Sequence, residues 1–372
     1  MNIAFDAKMA YISNTGLGSH ARTHIKSLNA YYPENQYSLF TTRITEGDFK
    51  QYIAAQTNIK VYQPESSEDK NTKARWYPHG ITDILTKNKY DIYHGLSNEL
   101  PHNIKSFKGK KIVTIHDLIF LRQPDLYSEG QIRIYNKRFR HACDLADTII
   151  AISEDTKADI EKYYFIPSDK IKVVYQSCNE LFYQPLSQEY ITLIKEQYKL
   201  PGEFLLYVGT IEERKNLLTI VKALKNVNGL PLVVAGRKTS YYKTVKKYIE
   251  ENNLKNRVIF LNSVNPSHLP AMYHLAKIYV FPSLQEGFGI PIIEALTSKT
   301  PVITTQGGCF PETGGPDTIY IDPTDDNELA EKINFLLGSE TACKLMAEKG
   351  FEYAKRFYPE KITKELMDVY NS

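Results

Sequence analysis

The chain has 372 residues, of which 42% are hydrophobic and 24% are charged, and its formal net charge is +3. These values are typical of a globular protein with room for two ordinary domains, and they argue against a strongly basic nucleic-acid-binding protein. No apolar run approaches the ~20 residues that a membrane-spanning helix requires.

The cysteines and the N-terminus bear on the compartment. Four widely separated cysteines without a C-x-x-C pair predict neither a zinc site nor a disulfide framework: Cys143, Cys178, Cys309 and Cys343. The first residues lack the basic and apolar regions of a signal peptide. We therefore expect a cytoplasmic protein, free or peripheral to the inner face of the membrane. Basic residues between positions 105 and 140 would make that membrane contact, although an ordinary solvated surface is the simpler explanation.

Short apolar runs alternate with helical patterns along the chain. In the first half the pattern predicts strands at 3–5, 91–94, 111–116 and 148–151, with helices near 72–87, 130–146 and 153–164. In the second half it predicts strands at 204–208, 232–235, 258–261, 278–281 and 302–304. Apolar strands that alternate with helices indicate βαβ units and parallel sheets. The predicted fold class is therefore α/β, with two Rossmann-like domains.

The alternation is interrupted by a polar, proline-containing stretch that starts near residue 179. We place the domains at 1–180 and 181–355, and we expect a C-terminal helix within 356–372. That helix follows Pro359 and has no strand after it. It would cap the second domain or cross back to the first.

The segment at 283–295, S-L-Q-E-G-F-G-I-P-I-I-E-A, carries the strongest chemical signal. A strand leads into a glycine-containing turn, and Pro291 is predicted to open a helix because its missing N–H costs nothing at the first helical position. Free N–H groups at such a helix start bind anions and hydroxyl oxygens. Glu286 precedes the turn and Glu294 is predicted to lie in the first helical turn. A capped helix would explain Glu294 through the helix dipole, but not Glu286 beside two glycines.

This segment resembles the E-x7-E signature of family 4 retaining glycosyltransferases, which have the GT-B fold. The resemblance extends over most of the chain and is best over 203–323. It implies that Glu286 is catalytic and faces the donor sugar, and that Glu294 binds the ribose of a nucleotide sugar. The resemblance further implies donor contacts from the intervening turn: Gly287, Phe288, Gly289 and Ile290.

A second segment, V-G-T-I-E-E-R-K-N-L at 208–217, follows a predicted strand. Asn216 is predicted to cap the next helix. Arg214 and Lys215 suit a diphosphate, because pre-placed cations stabilise the charge that a departing diphosphate acquires. Taken alone, a solvated loop in which neighbouring glutamates neutralise the cations explains the segment equally. Beside the first segment it matches the G-T-x-x-x-R-K-N element of the same family, which assigns Gly209 and Thr210 to the donor site as well.

Three weaker elements complete the predicted site. Gly16 and Gly18, in N-T-G-L-G-S-H, lie between the first strand and the first helix, but they lack the third glycine of a dinucleotide fingerprint. The resemblance implies that this loop faces the donor diphosphate and the acceptor. His116, in T-I-H-D, ends a strand, and similar segments in mannose-transferring members contact the donor sugar. Val264 is a candidate neighbour of the nucleotide base.

The function expected from these features is transfer of a hexose, with mannose from GDP-mannose favoured by the His116 segment. The acceptor would be a glycan or a lipid-linked glycan of the cell surface. We expect no metal and no other cofactor, because neither D-x-D nor a metal-ligand cluster occurs. A UDP-sugar donor stays open, and so does a nucleotide-sugar epimerase on the same fold.

Overall fold

The computed structural model describes residues 1–13, 15–64 and 76–372. These residues form two compact units, one of Met1–Ser177 with Pro359–Ser372 and the other of Cys178–Tyr358. Asn14 and part of the helix predicted near 72–87 lie outside the described residues. The C-terminal segment therefore belongs to the same unit as the N-terminus.

The first unit contains a seven-stranded parallel sheet of order β3-β2-β1-β4-β5-β6-β7. Its strands are β1 (Asn2–Asp6), β2 (Gln36–Phe40), β3 (Ile59–Tyr62), β4 (Ile92–Gly95), β5 (Lys110–Ile115), β6 (Thr148–Ala151) and β7 (Ile171–Val173). Its helices are α1 (Lys8–Ile12), α2 (Gly16–Tyr31), α3 (Asp48–Ala54), α4 (Ile81–Lys87), α5 (Ile119–Arg122), α6 (Glu129–Leu145), α7 (Glu154–Tyr164) and the C-terminal α16 (Pro359–Asn371).

Successive residues of β1 point to opposite faces of this sheet, as the two-residue period of a strand requires. Ile3 and Phe5 belong to a core that also takes in α2 and the C-terminal helix α16. Ala4 belongs to a second core, on the other face, that takes in α4, α6 and α7. The sheet is thus covered on both faces, which explains why its central strands are continuously apolar.

The second unit contains a six-stranded parallel sheet of order β10-β9-β8-β11-β12-β13. Its strands are β8 (Leu205–Val208), β9 (Leu232–Ala235), β10 (Val258–Leu261), β11 (Ile278–Phe281), β12 (Val302–Thr305) and β13 (Ile319–Ile321). Its helices are α8 (Gln188–Gln197), α9 (Leu217–Ala223), α10 (Tyr242–Glu251), α11 (Leu269–Leu275), α12 (Ile290–Thr297), α13 (Phe310–Gly314), α14 (Asp326–Leu337) and α15 (Glu340–Ala354).

The α/β class and the parallel sheets are confirmed, and each predicted strand lies on an observed one. Four strands were not predicted: β2, β3, β7 and β13. Three of them, β3, β7 and β13, are sheet edges, where partly exposed residues dilute the apolar pattern. Within the described ranges, no helix is both long and apolar enough to cross a membrane.

Two predicted helix starts need correction. Helix α12 begins at Ile290 rather than Pro291, and Glu294 lies beyond its first turn. Gly16 and Gly18 do not form a loop ahead of the first helix. A short α1 comes first, and both glycines lie in the first turn of α2.

Candidate active site

The two strongest sequence segments meet at the centre of the second sheet. Strands β8 and β11 are hydrogen-bonded neighbours, and in a parallel sheet the loops that follow neighbouring strands leave from the same edge. The backbone N–H of Leu284 donates to the carbonyl of Arg214 at 2.8 Å. The loop after β8 and the loop before α12 are thereby joined into one structure.

Glu286 lies between the two cations of the other loop. Lys215 Nζ is 2.5 Å from Glu286 Oε1, and Arg214 Nη1 is 3.1 Å from Glu286 Oε2. The hydroxyl of Ser283 donates to Glu286 Oε1 at 2.6 Å. The Glu286 side chain is only 12% exposed, so the charges compensate one another within a largely desolvated cluster.

This cluster fixes the charge of Glu286. Burial acts to raise the pKa of its carboxyl, but the charges of Lys215 and Arg214 and the hydrogen bonds from Lys215 and Ser283 outweigh it and lower the pKa to about 2. Glu286 is therefore an ionised carboxylate at neutral pH. It is suited to stabilise a positive charge that develops nearby, and unsuited to donate a proton.

The neutralising role expected for the glutamates of the second segment is only partly observed. Glu212 Oε1 accepts from Arg214 Nη2 at 2.9 Å, so a neighbouring glutamate does pair with the cation. The other cation, Lys215, pairs instead with Glu286, which lies 71 residues farther along the chain. The cations are thus held in place at the edge of the sheet rather than left on a solvated loop.

Asn216 is the N-cap residue immediately before α9, but its side chain does not cap the helix, contrary to the sequence-based expectation. It adopts a left-handed conformation with φ of 56°. Its side-chain amide donates instead to the carbonyls of Pro282 and Pro323, at 3.1 and 2.7 Å. Asn216 therefore ties three loops together directly beside Lys215.

The turn at 307–312, which carried no assignment from the sequence, braces the Glu286 loop. The Cys309 thiol donates to the carbonyl of Glu286 at 3.3 Å, and the Thr313 hydroxyl donates to the carbonyl of Phe288 at 2.8 Å. Phe288 itself is buried and packs edge-on against Phe357. Gly289 has φ of 108°, a conformation that other residues rarely adopt. The backbone before α12 is consequently rigid.

Glu294 lies in a different environment, and no cation contributes to the shift of its pKa. The Tyr273 hydroxyl, from α11, donates to Glu294 Oε2 at 2.9 Å. Burial raises the pKa of the Glu294 carboxyl to about 7, and the hydrogen bond from Tyr273 opposes that rise without cancelling it. The two glutamates of one motif therefore differ in charge state near neutral pH. The sequence contained no signal for the Tyr273 contact.

The remaining residues predicted in this unit lie along the same edge of the sheet. Gly209 follows β8, and a Cβ on Gly236, which follows β9, would lie 1.7 Å from the Gly209 carbonyl oxygen. The Tyr207 hydroxyl donates to the carbonyl of Thr210 at 3.1 Å. Val264 is partly buried and follows β10, which β9 separates from β8.

The other predicted residues belong to the first unit. His116 is buried: its Nε2 bonds the carbonyl of Leu96 at 2.8 Å, and its Nδ1 accepts from the amide of Gln176 at 3.2 Å. Burial lowers the pKa of His116 to about 4, so the ring is neutral. Gly18 packs against α1, whereas no described residue has an atom within 4 Å of a Cβ placed on Gly16. A sugar contact by His116 stays a prediction, and it would require one of these ring bonds to be exchanged.

Across the part of the chain that the structure describes, no group of three or more His, Cys, Asp or Glu side chains is arranged to hold a metal ion. The positive charge of the site in the second unit comes from Arg214 and Lys215.

Two family models match the chain, one to each unit. Residues 16–179 match the model described as Glycosyltransferase Family 4, and residues 192–353 match the model described as Glycosyl transferases group 1.

Relatives and solved structures agree with these matches. The chain is 26% identical over 285 residues to O-antigen chain mannosyltransferase B of Escherichia coli, covering 75% of this chain and 74% of the relative. It is 29% identical over 231 residues to O-antigen chain mannosyltransferase RfbU of Salmonella typhimurium, covering 60% of each. The structure of Anabaena HepE in complex with UDP and glucose has a TM-score of 0.78 at 18% identity, covering 100% of this chain and 99% of that one. At that identity the last likeness shows the fold alone.

Proposed function

Because the chain belongs to family 4 of the glycosyltransferases and has the GT-B fold, we propose that it transfers mannose from GDP-mannose, with retention, to a glycan or lipid-linked acceptor. The observation that carries the chemistry is the cluster in which Lys215 and Arg214 hold Glu286 ionised at the edge of the sheet. The curated relatives named as O-antigen chain mannosyltransferases support the choice of sugar.

In this proposal the donor binds in the second unit. Arg214 and Lys215 face its diphosphate together with the backbone amides before α12, because fixed cations and amides stabilise the charge of the leaving group without reorganising. Glu294 accepts from the ribose hydroxyls, and the base lies near Val264. No metal enters this scheme, and the two cations and the backbone amides stabilise the charge of the leaving group.

Glu286, which contacts both cations of this anion site, faces the donor sugar. As the bond between the sugar and the phosphate breaks, positive charge develops on the ring, and a nearby carboxylate lowers the energy of that state. The departing phosphate oxygen takes the proton of the acceptor hydroxyl on the same face of the sugar. The incoming and leaving oxygens then share one face, and the anomeric configuration is retained.

The donor is tested by thermal unfolding of the purified protein with GDP-mannose, GDP, UDP-glucose, UDP-N-acetylglucosamine, UDP or NAD. A ligand that binds only the native state at 100 times its dissociation constant raises the stability by about 2.7 kcal/mol. We expect a shift with the GDP compounds, which R214Q should reduce because it deletes a cation of the proposed site.

Each other outcome contradicts a defined part of the proposal. A shift with UDP compounds alone overturns GDP-mannose as the donor and retains the anion site. A response to NAD alone, or to nothing, contradicts nucleotide-sugar binding. Interconversion of the bound sugar in the absence of an acceptor would identify an epimerase instead.

A further inference from the structure

The hydroxyl that contacts Glu294 is itself firmly held. Tyr273 is fully buried in α11. Its ring packs edge-on against Phe182 and Tyr279, with centroids 5.6 and 5.0 Å away. The Thr300 hydroxyl donates to the Tyr273 carbonyl at 2.7 Å. With ring and backbone both fixed, the Tyr273 hydroxyl has little freedom to turn away from the carboxyl.

The groups around Glu294 leave its ionisation dependent on the hydrogen bond from Tyr273. Besides Tyr273, two titratable groups interact with the charge of Glu294: Tyr279 on β11 and the Cys178 thiol. Burial is the largest cause that raises the pKa of each, and the charge of Glu294 raises it further. Neither group is a cation. Among the described residues, the interaction that favours the ionised form of Glu294 is the hydrogen bond from Tyr273. Glu286, by contrast, contacts two cations. The two carboxyl groups therefore have different electrostatic environments although they belong to one loop and the helix that follows it.

The protonation state of Glu294 matters for the role assigned to it. A carboxylate only accepts hydrogen bonds, and it has room for several donors, whereas a protonated carboxyl offers fewer acceptor sites and adds a donor. A pair of ribose hydroxyls binds best to the ionised form. A carboxyl that titrates near neutral pH therefore makes nucleotide binding sensitive to whatever favours ionisation.

We propose that Tyr273 is a positioning residue for donor binding: its hydroxyl orients the Glu294 carboxylate and favours the ionised form that accepts the ribose hydroxyls. This inference rests on the proposed function, in which Glu294 contacts the ribose. Tyr273 acts through Glu294 and needs no contact with the nucleotide itself.

The test compares the affinity for GDP-mannose between pH 6 and pH 9, measured by titration calorimetry in the wild type, Y273F, E294Q and Y320F. Both phosphates of a nucleotide sugar are esterified, so the ligand has no titration near neutral pH that would imitate the effect. UDP-glucose has the same property and replaces GDP-mannose if the thermal experiment selects UDP. Tyr320 is the matched control, because its hydroxyl also donates to an internal acceptor of the same unit, the Gly315 carbonyl at 2.6 Å.

We expect wild-type affinity to weaken as the pH falls through about 7, the pKa of Glu294. In Y273F this acid limb, the pH range over which affinity is lost, should move upward by about one pH unit, with affinity about fivefold weaker at pH 7 and recovered at pH 9. E294Q should bind weakly with no dependence on pH, and Y320F should behave as the wild type. In turnover, Y273F should raise the KM for the donor at pH 7 and leave kcat at saturation nearly unchanged.

The ways to fail are distinguishable. If E294Q binds as the wild type does, the ribose contact of the proposed function is wrong, and the role of Tyr273 falls with it. If E294Q binds weakly but Y273F keeps the wild-type acid limb, the proposed function stands and the positioning role is wrong. Equal weakening of Y273F at every pH would mark a merely structural role and also overturns the inference.

Discussion

Glu286 illustrates at the scale of one residue how a buried charge is made permanent. A carboxylate at 12% exposure is costly when alone, but Lys215, Arg214 and Ser283 each contact its oxygens. Its folded pKa of about 2 lies below the ordinary value of 4.5. Its contribution to stability is therefore present above about pH 4.5 and is lost as the pH falls through 2. At neutral pH this residue is a fixed negative charge.

Replacement of Glu286 by Gln should reduce transfer by about 10²–10³-fold or more, because it removes the charge that faces the sugar in the proposed mechanism while it keeps the size of the side chain. Product formation at saturating donor measures the effect, and circular dichroism checks the fold. E286A should be equally inactive, and both variants should be less stable than the wild type, because each removes the carboxylate that pairs with Lys215 and Arg214.

Glu212 provides the matched control for Glu286. It also pairs with Arg214, yet its side chain is 35% exposed, where an ion pair contributes little. E212Q should keep activity within a few-fold of the wild type. Full activity in E286Q would contradict the catalytic assignment, and equal losses in E286Q and E212Q would indicate general disturbance of the loop.

Gly16 and Gly18, at the start of α2, were both predicted to face the ligand, but they differ in the space available to a side chain. A Cβ on Gly18 would lie 2.0 Å from the Ser13 carbonyl oxygen and 2.9 Å from that of Met9. In the part of the chain that the structure describes, a Cβ on Gly16 would meet nothing within 4 Å. Glycine at position 18 is therefore explained by the packing of α1 against α2. Glycine at position 16 has no such steric explanation, so the ligand role predicted for it is still open.

G18A should destabilise the first unit by about 1–3 kcal/mol or more, because the clash is with backbone and must shift α1. G16A should leave stability unchanged or raise it by up to about 1 kcal/mol, since alanine is the better helix former. Urea unfolding followed by tryptophan fluorescence reports on this unit, because Trp76 is the single tryptophan of the chain.

The activity of these two variants separates packing from ligand binding. Loss of transfer in a stable G16A protein would support a ligand contact at that position. Equal stability of G16A and G18A would contradict the packing explanation of Gly18.

At the scale of the whole molecule, the chain ends by completing the unit in which it begins. Helix α16 contributes Leu366, Met367 and Tyr370 to the core on one face of the first sheet. The Tyr370 hydroxyl bonds His94 Nδ1 at 2.7 Å and His24 Nε2 at 3.2 Å. These contacts belong to a group of four neighbouring histidines, of which His24 is partly buried and the other three are buried: His20, His24, His94 and His116.

Burial, reinforced for three of the four by neighbouring histidines, lowers the pKa of every member below the ordinary value of 6.5. The unfolded chain therefore binds more protons below that value than the folded chain does. The stability of the first unit should be complete above pH 6.5 and should fall as the pH decreases toward the folded values, which is about 4 for His116. Each histidine adds at most about 1.4 kcal/mol per pH unit to this slope.

Substitution of one histidine tests the slope. His20 Nε2 is buried and has no hydrogen-bond partner among the described residues, so H20F removes a titrating group without breaking a bond observed for that atom. The urea midpoint of the first unit, followed by Trp76 fluorescence between pH 7 and pH 5, should fall less steeply in H20F than in the wild type. An unchanged slope would show that other groups govern acid unfolding.

The sequence by itself determined the α/β class, the parallel strands at the centre of each sheet and the family. Runs such as 232–235 are continuously apolar because both faces of a covered sheet are buried, so the pattern is local and readable. The segment at 283–295 was equally readable, because its glycines and its two glutamates are consecutive features of one loop and one helix.

Only the tertiary structure decided which charges meet and how each group titrates. Lys215 contacts a carboxylate 71 residues away, and Tyr370 contacts a histidine 276 residues away. The sequence placed Glu286 and Glu294 in one motif, yet the first is held ionised by cations and the second titrates near neutral pH. The physical reason is that strand order and burial set the distance and the dielectric around a charge, and both depend on residues that only folding brings together.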